Sequence, residues 1–391
     1  MELRKSYKTE IDPTPQQKEK INKTIGTCRF IYNFFIAHNK EIYEVEKRYV
    51  SEGEFRKWLN NEFIPNNEEY KWIKEAYSKA VTQSVKNADN AFKRFFNKKA
   101  DFPRFKKKNK SDVKMYFVKN NKKDCLCERH RIKIPTLGWV KIKEKGYIPT
   151  NKVITSGTVS KRAGRYYVSV VVSDETQDVT LSKPLNNFGI GIDFGIKVFA
   201  VISDGTVKKN INKTVKMRKL EKKLKREQRC LSRKYEDLRR RKEEKKGDVT
   251  RQNIQKQILK VQKIYKKMDD IRTDYINKTI DEIVKNKPSY IAIEDLNVKG
   301  MMKNRHLSKA VAAQKYNEFR TKLETKCKQN GIELRVVDRW YPSSKMCNRC
   351  GKIKKDLKLS DRKYVCTCGY EADRDYNASL NLRDAKTYKV A

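Results

Sequence analysis

A chain of 391 residues is too long for one ordinary hydrophobic core, so about two to four domains are expected. Lys and Arg number 93 against 48 Asp and Glu, and the resulting +45 excludes a balanced surface and points to a long nucleic acid as partner. Hydrophobic residues at 37% exclude a wholly disordered chain, and no apolar run approaches the roughly 20 residues of a membrane span.

Leu3 to Ile11 reads as a short strand, closed by Asp12-Pro13-Thr14-Pro15. From Gln16 to about Phe96 the period is helical, with Ile21, Ile25, Cys28, Phe30 and Ile31 on one apolar stripe. Trp58, Phe63, Trp72, Tyr77, Val81, Val85 and Phe92 extend that core. Phe102-Pro103-Arg104-Phe105-Lys106-Lys107-Lys108 then breaks helix and sets cations beside aromatics. Between Lys114 and Asp174 the texture turns to strands, with alternation at 113–118, 130–134, 139–143 and 166–172, which predicts a small barrel. Asp174 to Asn187 is polar and contains Pro184, as a linker would.

Residues 207–247 carry 19 Lys and Arg against 6 Asp and Glu. Met217, Leu220, Leu224, Leu231, Tyr235 and Leu238 keep an apolar spacing there, and Ile254, Ile258, Val261, Tyr265, Met268 and Tyr275 repeat it after Gly247-Asp248. The pattern predicts an antiparallel helical hairpin with a basic outer face. A solvated coiled-coil face would look similar, but the one-signed excess favours nucleic-acid contact.

Three acids end short structured segments. Along Gly189-Ile-Gly-Ile-Asp193 the isoleucines alternate with Gly189, Gly191 and Asp193, so Asp193 shares a face with glycines on which a substrate backbone could approach closely. Glu294 shares a face with Ala292, opposite Ile291 and Ile293, so parity favours it over Asp295. Asp375 precedes Asn377-Ala-Ser-Leu-Asn-Leu382, an apparent helix start. Singly these would be a turn acid, a strand-end charge and a helix cap. Together they suit divalent cations, magnesium or manganese, serving phosphodiester cleavage. With 3 His in the chain, a histidine mechanism has little support.

Cys347-x-x-Cys350, then Cys366-x-Cys368, reads as a four-thiolate structural zinc site, with Gly351 and Gly369 turning each knuckle. The second pair is tighter than the commoner C-x-x-C. Cys125, Cys127 and His130 fall one ligand short of a second site, and Cys28, Cys230 and Cys327 lie in helical patterns. Clustered cysteines without a secretory segment predict a reducing, cytoplasmic setting, at the nucleoid when DNA is bound.

Gly191-Ile-Asp193-Phe-Gly195, Ile293-Glu294-Asp-Leu296 and Asp373-Arg-Asp375-Tyr-Asn-Ala378 resemble the three nuclease motifs of the TnpB family. Asp12-Pro-Thr-Pro-Gln-Gln17, Cys28-Arg-Phe-Ile-Tyr-Asn33, Phe102-Pro-Arg-Phe-Lys-Lys107, Leu137-Gly-Trp-Val140 and Tyr341-Pro-Ser-Ser344 are similar to it as well. The resemblance implies a multidomain α+β protein. A β-barrel (1–15 and 99–180) would carry a helical insertion (16–98). An RNase H-like, RuvC-type nuclease domain would follow (186–345 and 370–391), interrupted by the basic hairpin (207–287) and a zinc ribbon (346–369). It implies that Asp193, Glu294 and Asp375 are the catalytic, magnesium-holding residues, and it is the main ground for preferring Asp375 to Asp373. It further implies a guide RNA from the end of a mobile element, and a target DNA read beside a short motif. Thr82, Gln83 and Ser84 stand at the family position for that reading, and Arg104, Lys106 and Lys107 would add nucleic-acid contacts. The rival expectations are a nuclease-inactive RNA-guided repressor, a transposase that joins DNA ends, and a non-catalytic zinc-ribbon protein binding nucleic acid.

Overall fold

Val168, Val170 and Val172 are buried while Ser169, Val171 and Ser173 between them are only partly so, and that period of two gives a strand one core face. In the computed structural model, which describes residues 3–108, 111–121, 124–174, 187–244, 251–358 and 360–391, this strand belongs to the first of two units, Met1–Gln177 and Asp178–Ala391.

The first unit contains β1 (Leu3–Asp12), β2 (Met115–Val118), β3 (Arg131–Ile134), β4 (Gly138–Ile142), β5 (Val153–Arg162) and β6 (Arg165–Asp174). They pair antiparallel in the order β2-β5-β6-β1-β4-β3, so where a barrel was expected the described residues form an open six-stranded sheet whose edges, β2 and β3, do not pair with each other. The sequence pattern missed β5, where Ser156 and Gly157 interrupt the apolar alternation and the register slips between Ile154 and Ser156. Four helices follow β1: α1 (Pro15–Glu46), α2 (Glu52–Trp58), α3 (Ile64–Asn66) and α4 (Ser78–Phe96). Thr14 and Gln17 form a capping box that starts α1, and the Gln17 side chain also donates to the carbonyls of Leu137 and Trp139. Ile31, Phe35, Phe55, Leu59, Val85 and Phe92 make the helical core.

The second unit holds β7 (Gly189–Phe194), β8 (Ala200–Ile202), β9 (Val207–Lys208), α5 (Val215–Glu243), α6 (Gln252–Lys285), β10 (Tyr290–Glu294), α7 (Val298–Lys303), α8 (Ser308–Gln314), α9 (Tyr316–Asn330), β11 (Glu333–Val337), β12 (Lys363–Val365), β13 (Glu371–Asp373), α10 (Arg374–Arg383) and β14 (Tyr388–Val390). Its sheet runs β14-β11-β10-β7-β8-β9, with β7, β10 and β11 parallel. Ile190, Ile192, Ile291 and Ile293 pack on one face against Ile276, Ile280 and Ile283 of α6 and Phe319 and Leu323 of α9. The other face receives α10.

Met217 and Leu224 of α5 meet Val261, Ile264 and Met268 of α6, giving the expected antiparallel pair. The turn expected at Gly247-Asp248 lies outside the described residues, as does most of the linker expected between Asp174 and Asn187. One arm of this hairpin does two jobs, because α6 continues past the α5 contact to become a layer of the sheet's core. No helix among the described residues is long and apolar enough to cross a membrane.

Gly191 fixes how α10 sits. A Cβ there would stand 1.9 Å from the Ser379 carbonyl oxygen and 2.6 Å from the Arg383 nitrogen, so helix backbone lies directly on strand backbone. The glycine face expected to admit a substrate is therefore filled by the protein's own helix. Neither obstructing atom belongs to a movable side chain, so Gly191→Ala is expected to cost about 1–3 kcal/mol, read as a lower urea midpoint; an unchanged midpoint would refute this packing.

Candidate active site and four-cysteine cluster

Ile192 of β7 pairs with Ile293 of β10 in parallel register, so Asp193 and Glu294, one residue further on, leave adjacent strands at the same end. The isoleucines occupy the α6–α9 face, which turns both acids with Gly191 and Ala292 toward the α10 face. Asp375 enters from the first turn of α10. Asp373 is the cap of that helix, its Oδ1 accepting from the backbone nitrogens of Asp375 (2.9 Å) and Tyr376 (3.1 Å). Asp295 is likewise occupied: Arg320 donates to one of its oxygens at 2.8 Å and Arg339 to the other at 2.6 Å, which holds its carboxyl below the usual range.

Among the described residues, Asp193 and Glu294 have no hydrogen-bond partner for their carboxylates. Burial pushes the Asp193 carboxyl well above its ordinary value, and the charges of Asp375 and Glu294 push the same way, opposed by Arg374. Glu294 is raised by burial and then by Asp295. Asp375 differs, since Arg374 donates to its Oδ1 at 3.0 Å and Arg362 lies 3.5 Å from its Oδ2. The three acids are thus electrostatically coupled without forming a closed ligand shell. Only the four cysteines, among the described residues, bring potential ligand atoms within 4.8 Å of one another.

Those cysteines lie on two knuckles. Gly351 and Gly369 take φ of +75° and +81°, and their nitrogens donate back to the carbonyls of Cys347 (2.9 Å) and Cys366 (3.1 Å). The Cys347–Cys368 and Cys350–Cys366 sulfurs stand 3.7 and 3.6 Å apart. A tetrahedron with zinc–sulfur bonds of about 2.3 Å has edges of about 3.8 Å, so four thiolates so spaced fit zinc. The backbone N–H of Cys368 draws the Cys366 thiol down to about 6, whereas burial pushes Cys347 up to about 12. Tyr364 is fully buried against Cys347 and Cys366, and its hydroxyl donates to the Lys345 carbonyl at 3.2 Å.

Buried asparagines connect this cluster to the acids. Asn377 donates to the Met346 carbonyl at 2.7 Å and accepts from the Asn348 nitrogen at 3.2 Å. Asn381, one turn later on α10, donates to the carbonyls of Ser343 and Met346, both at 2.7 Å. The helix bearing Asp375 is therefore bolted to the first knuckle.

Residues 168–305 match the family model described as "Probable transposase" (OrfB_IS605), residues 316–382 the "Cas12f1-like, TNB domain" and residues 1–48 a "Helix-turn-helix domain". In that last span the structure has one strand and one uninterrupted helix, α1, rather than two helices and a turn. The chain is 31% identical to "Putative RNA-guided DNA endonuclease InsQ" of Escherichia coli (strain K12), across 98% of this chain and 92% of that protein. The chain belongs to the TnpB family. It is 28% identical to "Putative RNA-guided DNA endonuclease" of Streptomyces pristinaespiralis, over 97% of this chain and 89% of that one. Its fold is also like that in "Cryo-EM structure of the Cas12f1-sgRNA-target DNA complex", with a TM-score of 0.60 at 13% identity and coverage of 99% and 100%.

The remaining sequence-derived candidates of this TnpB-family chain separate. Gln83 and Ser84 of α4 line a cavity of about 500 Å³ with Tyr32, Asn87, Asn90, Arg94 and Lys106. Ser84 is buried and its hydroxyl donates to the Cys28 carbonyl, so that group is already committed inside the protein. Lys106 lies over the Tyr32 ring at 4.8 Å. Thr82, Arg104 and Lys107 are outside the lining, the latter two exposed. Burial raises the Cys125 and Cys127 thiols to about 11, and they join no metal-ligand group among the described residues. Sequence reasoning missed Arg320, Arg339, Arg362 and Arg374, whose only local signal was Arg374 beside Asp375.

Two outcomes follow for the TnpB-family chain. Elemental analysis is expected to find about one zinc per molecule, and Cys347→Ser to remove most of it; full occupancy in that variant would exclude the assigned ligand set. Because folding raises the Asp193 carboxyl, its cost to stability is absent below the ordinary carboxylate value, grows as pH rises from there to the folded value and is fully present above it. Asp193→Asn in magnesium-free buffer should therefore melt higher than the parent at pH 8, by about 2–4 °C per kcal/mol relieved, with the gap closing toward low pH. A lower melting point at pH 8 would contradict the like-charge account.

Proposed function

We propose that this protein is an RNA-guided DNA endonuclease of a mobile genetic element, hydrolysing phosphodiester bonds with two divalent cations held by Asp193, Glu294 and Asp375. The observation that carries this reading is two carboxylates without hydrogen-bond partners among the described residues, at the same end of adjacent parallel strands, with the charges of Asp375 and Glu294 both raising Asp193. Family membership, and the printed names of two relatives spanning nearly the whole chain, support the guided activity. On this reading the second unit is an RNase H-like, RuvC-type nuclease domain with the α5–α6 hairpin and a zinc ribbon as insertions. The first is a barrel-type domain with a helical insertion that reads DNA beside the target.

The donor set suits magnesium, being all oxygen and partly exposed. Bound there, such cations would acidify an attacking water and stabilise the leaving oxygen. Asp193 and Glu294 offer carboxylates that no donor among the described residues competes for. The two guanidiniums on Asp295 keep that neighbour from offering a competing anion beside Glu294. Arg374 and Arg362 offset part of the Asp375 charge, which limits the repulsion it exerts on Asp193. The four-cysteine cluster is closed, so zinc there would serve only to fix α10. The partners are a guide RNA from the element's end and a matching DNA, and the +45 charge gives both a cationic surface.

Protein purified with its element-end RNA is expected to cut matched DNA in magnesium. Asp193→Ala, Glu294→Gln and Asp375→Ala should each lower the rate by at least about a hundredfold, whereas Asp295→Asn should cost less. Undiminished cutting by Asp193→Ala would sink the site assignment. Cutting without guide would remove RNA guidance from the reading, and guided binding without cutting would favour a repressor.

A further inference from the structure

We propose that Trp340 is a base-stacking platform for single-stranded DNA at the mouth of the carboxylate site; the inference rests on the nuclease reading of that site. Trp340 is 85% exposed, a large apolar surface to leave in water. Its surroundings are braced all the same. Its backbone nitrogen donates to Asp338 Oδ1 at 2.9 Å, and the next nitrogen, of Tyr341, donates to the Asp338 carbonyl at 3.0 Å. The Tyr341 ring packs with Ala292, Val337 and Leu382, and its hydroxyl donates to the Asn381 carbonyl at 3.2 Å. On the other side Arg339 is pinned to Asp295. The indole is therefore an exposed ring on a fixed support.

Its place follows from register. Val337 pairs with Glu294, so Trp340 begins at most about 10 Å of extended chain beyond the end of β11, on the side where the acids emerge. Clefts at the carboxyl ends of parallel strands are where open α/β sheets receive ligands. Arg339 precedes Trp340 in the chain and shares Asp295 with Arg320, so two guanidiniums meet one carboxylate there, and a polyanion with accessible base faces is the ligand that combines both needs. Duplex DNA hides those faces in its stack, so the occupant is a single strand entering the site rather than a double helix. Sequence-tolerant stacking also suits a nuclease whose target is chosen elsewhere.

The test is fluorescence. In magnesium-free buffer, the red-edge tryptophan emission of the guide-loaded protein is expected to be quenched by an oligothymidylate and not by a duplex of equal length. Trp340→Phe should lose that quench yet keep most of the affinity measured by polarisation of a labelled strand, whereas Trp340→Ala should bind about five- to a hundredfold more weakly. An exposed position makes loss of folding by either variant easy to exclude by melting. Unchanged quenching in Trp340→Phe, or parental affinity in Trp340→Ala, would overturn the platform. Guided cleavage by the parent protein, run in parallel, separates the two ideas. Cleavage with no Trp340 effect removes the platform alone, and Trp340-dependent quenching without cleavage removes the nuclease reading alone.

Discussion

The contact on which the second unit depends is backbone against backbone, α10 on β7 at Gly191. A short helix of ten residues has little autonomous stability, so its position must come from what it touches. Three of its sides are committed. Ser379 and Arg383 press on the strand, Asn377 and Asn381 are tied to the cysteine knuckle, and Leu382 packs with Ala292 and Val337. Only the N-terminal turn, with Asp375, is left to face the two strand-end acids. Glycine at 191 thus sets how closely a helix-borne carboxylate can approach a strand-borne one.

The site reverses the sign of its surroundings. In a chain of +45, Asp193 and Glu294 are only partly exposed yet have no hydrogen-bond partner for their carboxylates among the described residues, while arginines hold the acids nearest them. Arg320 and Arg339 take Asp295, and Arg374 and Arg362 take Asp375. Each is part-exposed, so these pairs contribute modestly to stability. Their consequence is local: Asp295 is bound on both oxygens by arginines, whereas Asp375 carries two guanidiniums that offset part of its charge.

Much of this was legible from local pattern. Alternating Ile190-x-Ile192 and Ile291-x-Ile293 assign faces by parity, because a side chain on a strand has two directions to choose from. The cysteine spacing reads as a four-ligand cluster because knuckle geometry is itself local. What escaped was non-local. Nothing near Gly191 in sequence says that residues 379 and 383 will cover it, so its face was read as open. Arg320 and Arg339 lie 25 and 44 residues from Asp295, beyond any periodicity. β5 was lost because its partner strands, rather than its own composition, make it a strand. Asp373 and Asp375 have the same residue type at adjacent odd positions, and only the capping hydrogen bonds tell them apart.

The two halves of the carboxylate site rest on different supports. Asp193 and Glu294 follow from a sheet whose register is fixed by buried isoleucines, so they take their places as soon as that core packs. Asp375 follows from a helix that leans on the cysteine knuckle through Asn377 and Asn381, and those bonds need the knuckle closed. Four cysteine sulfurs within 4.8 Å of one another hold that shape best with a metal between them. Opening the cluster would therefore leave the strand pair intact and release the third acid, a failure of geometry at one corner rather than a loss of fold. The cysteine cluster thus bears on the position of Asp375 through a single helix.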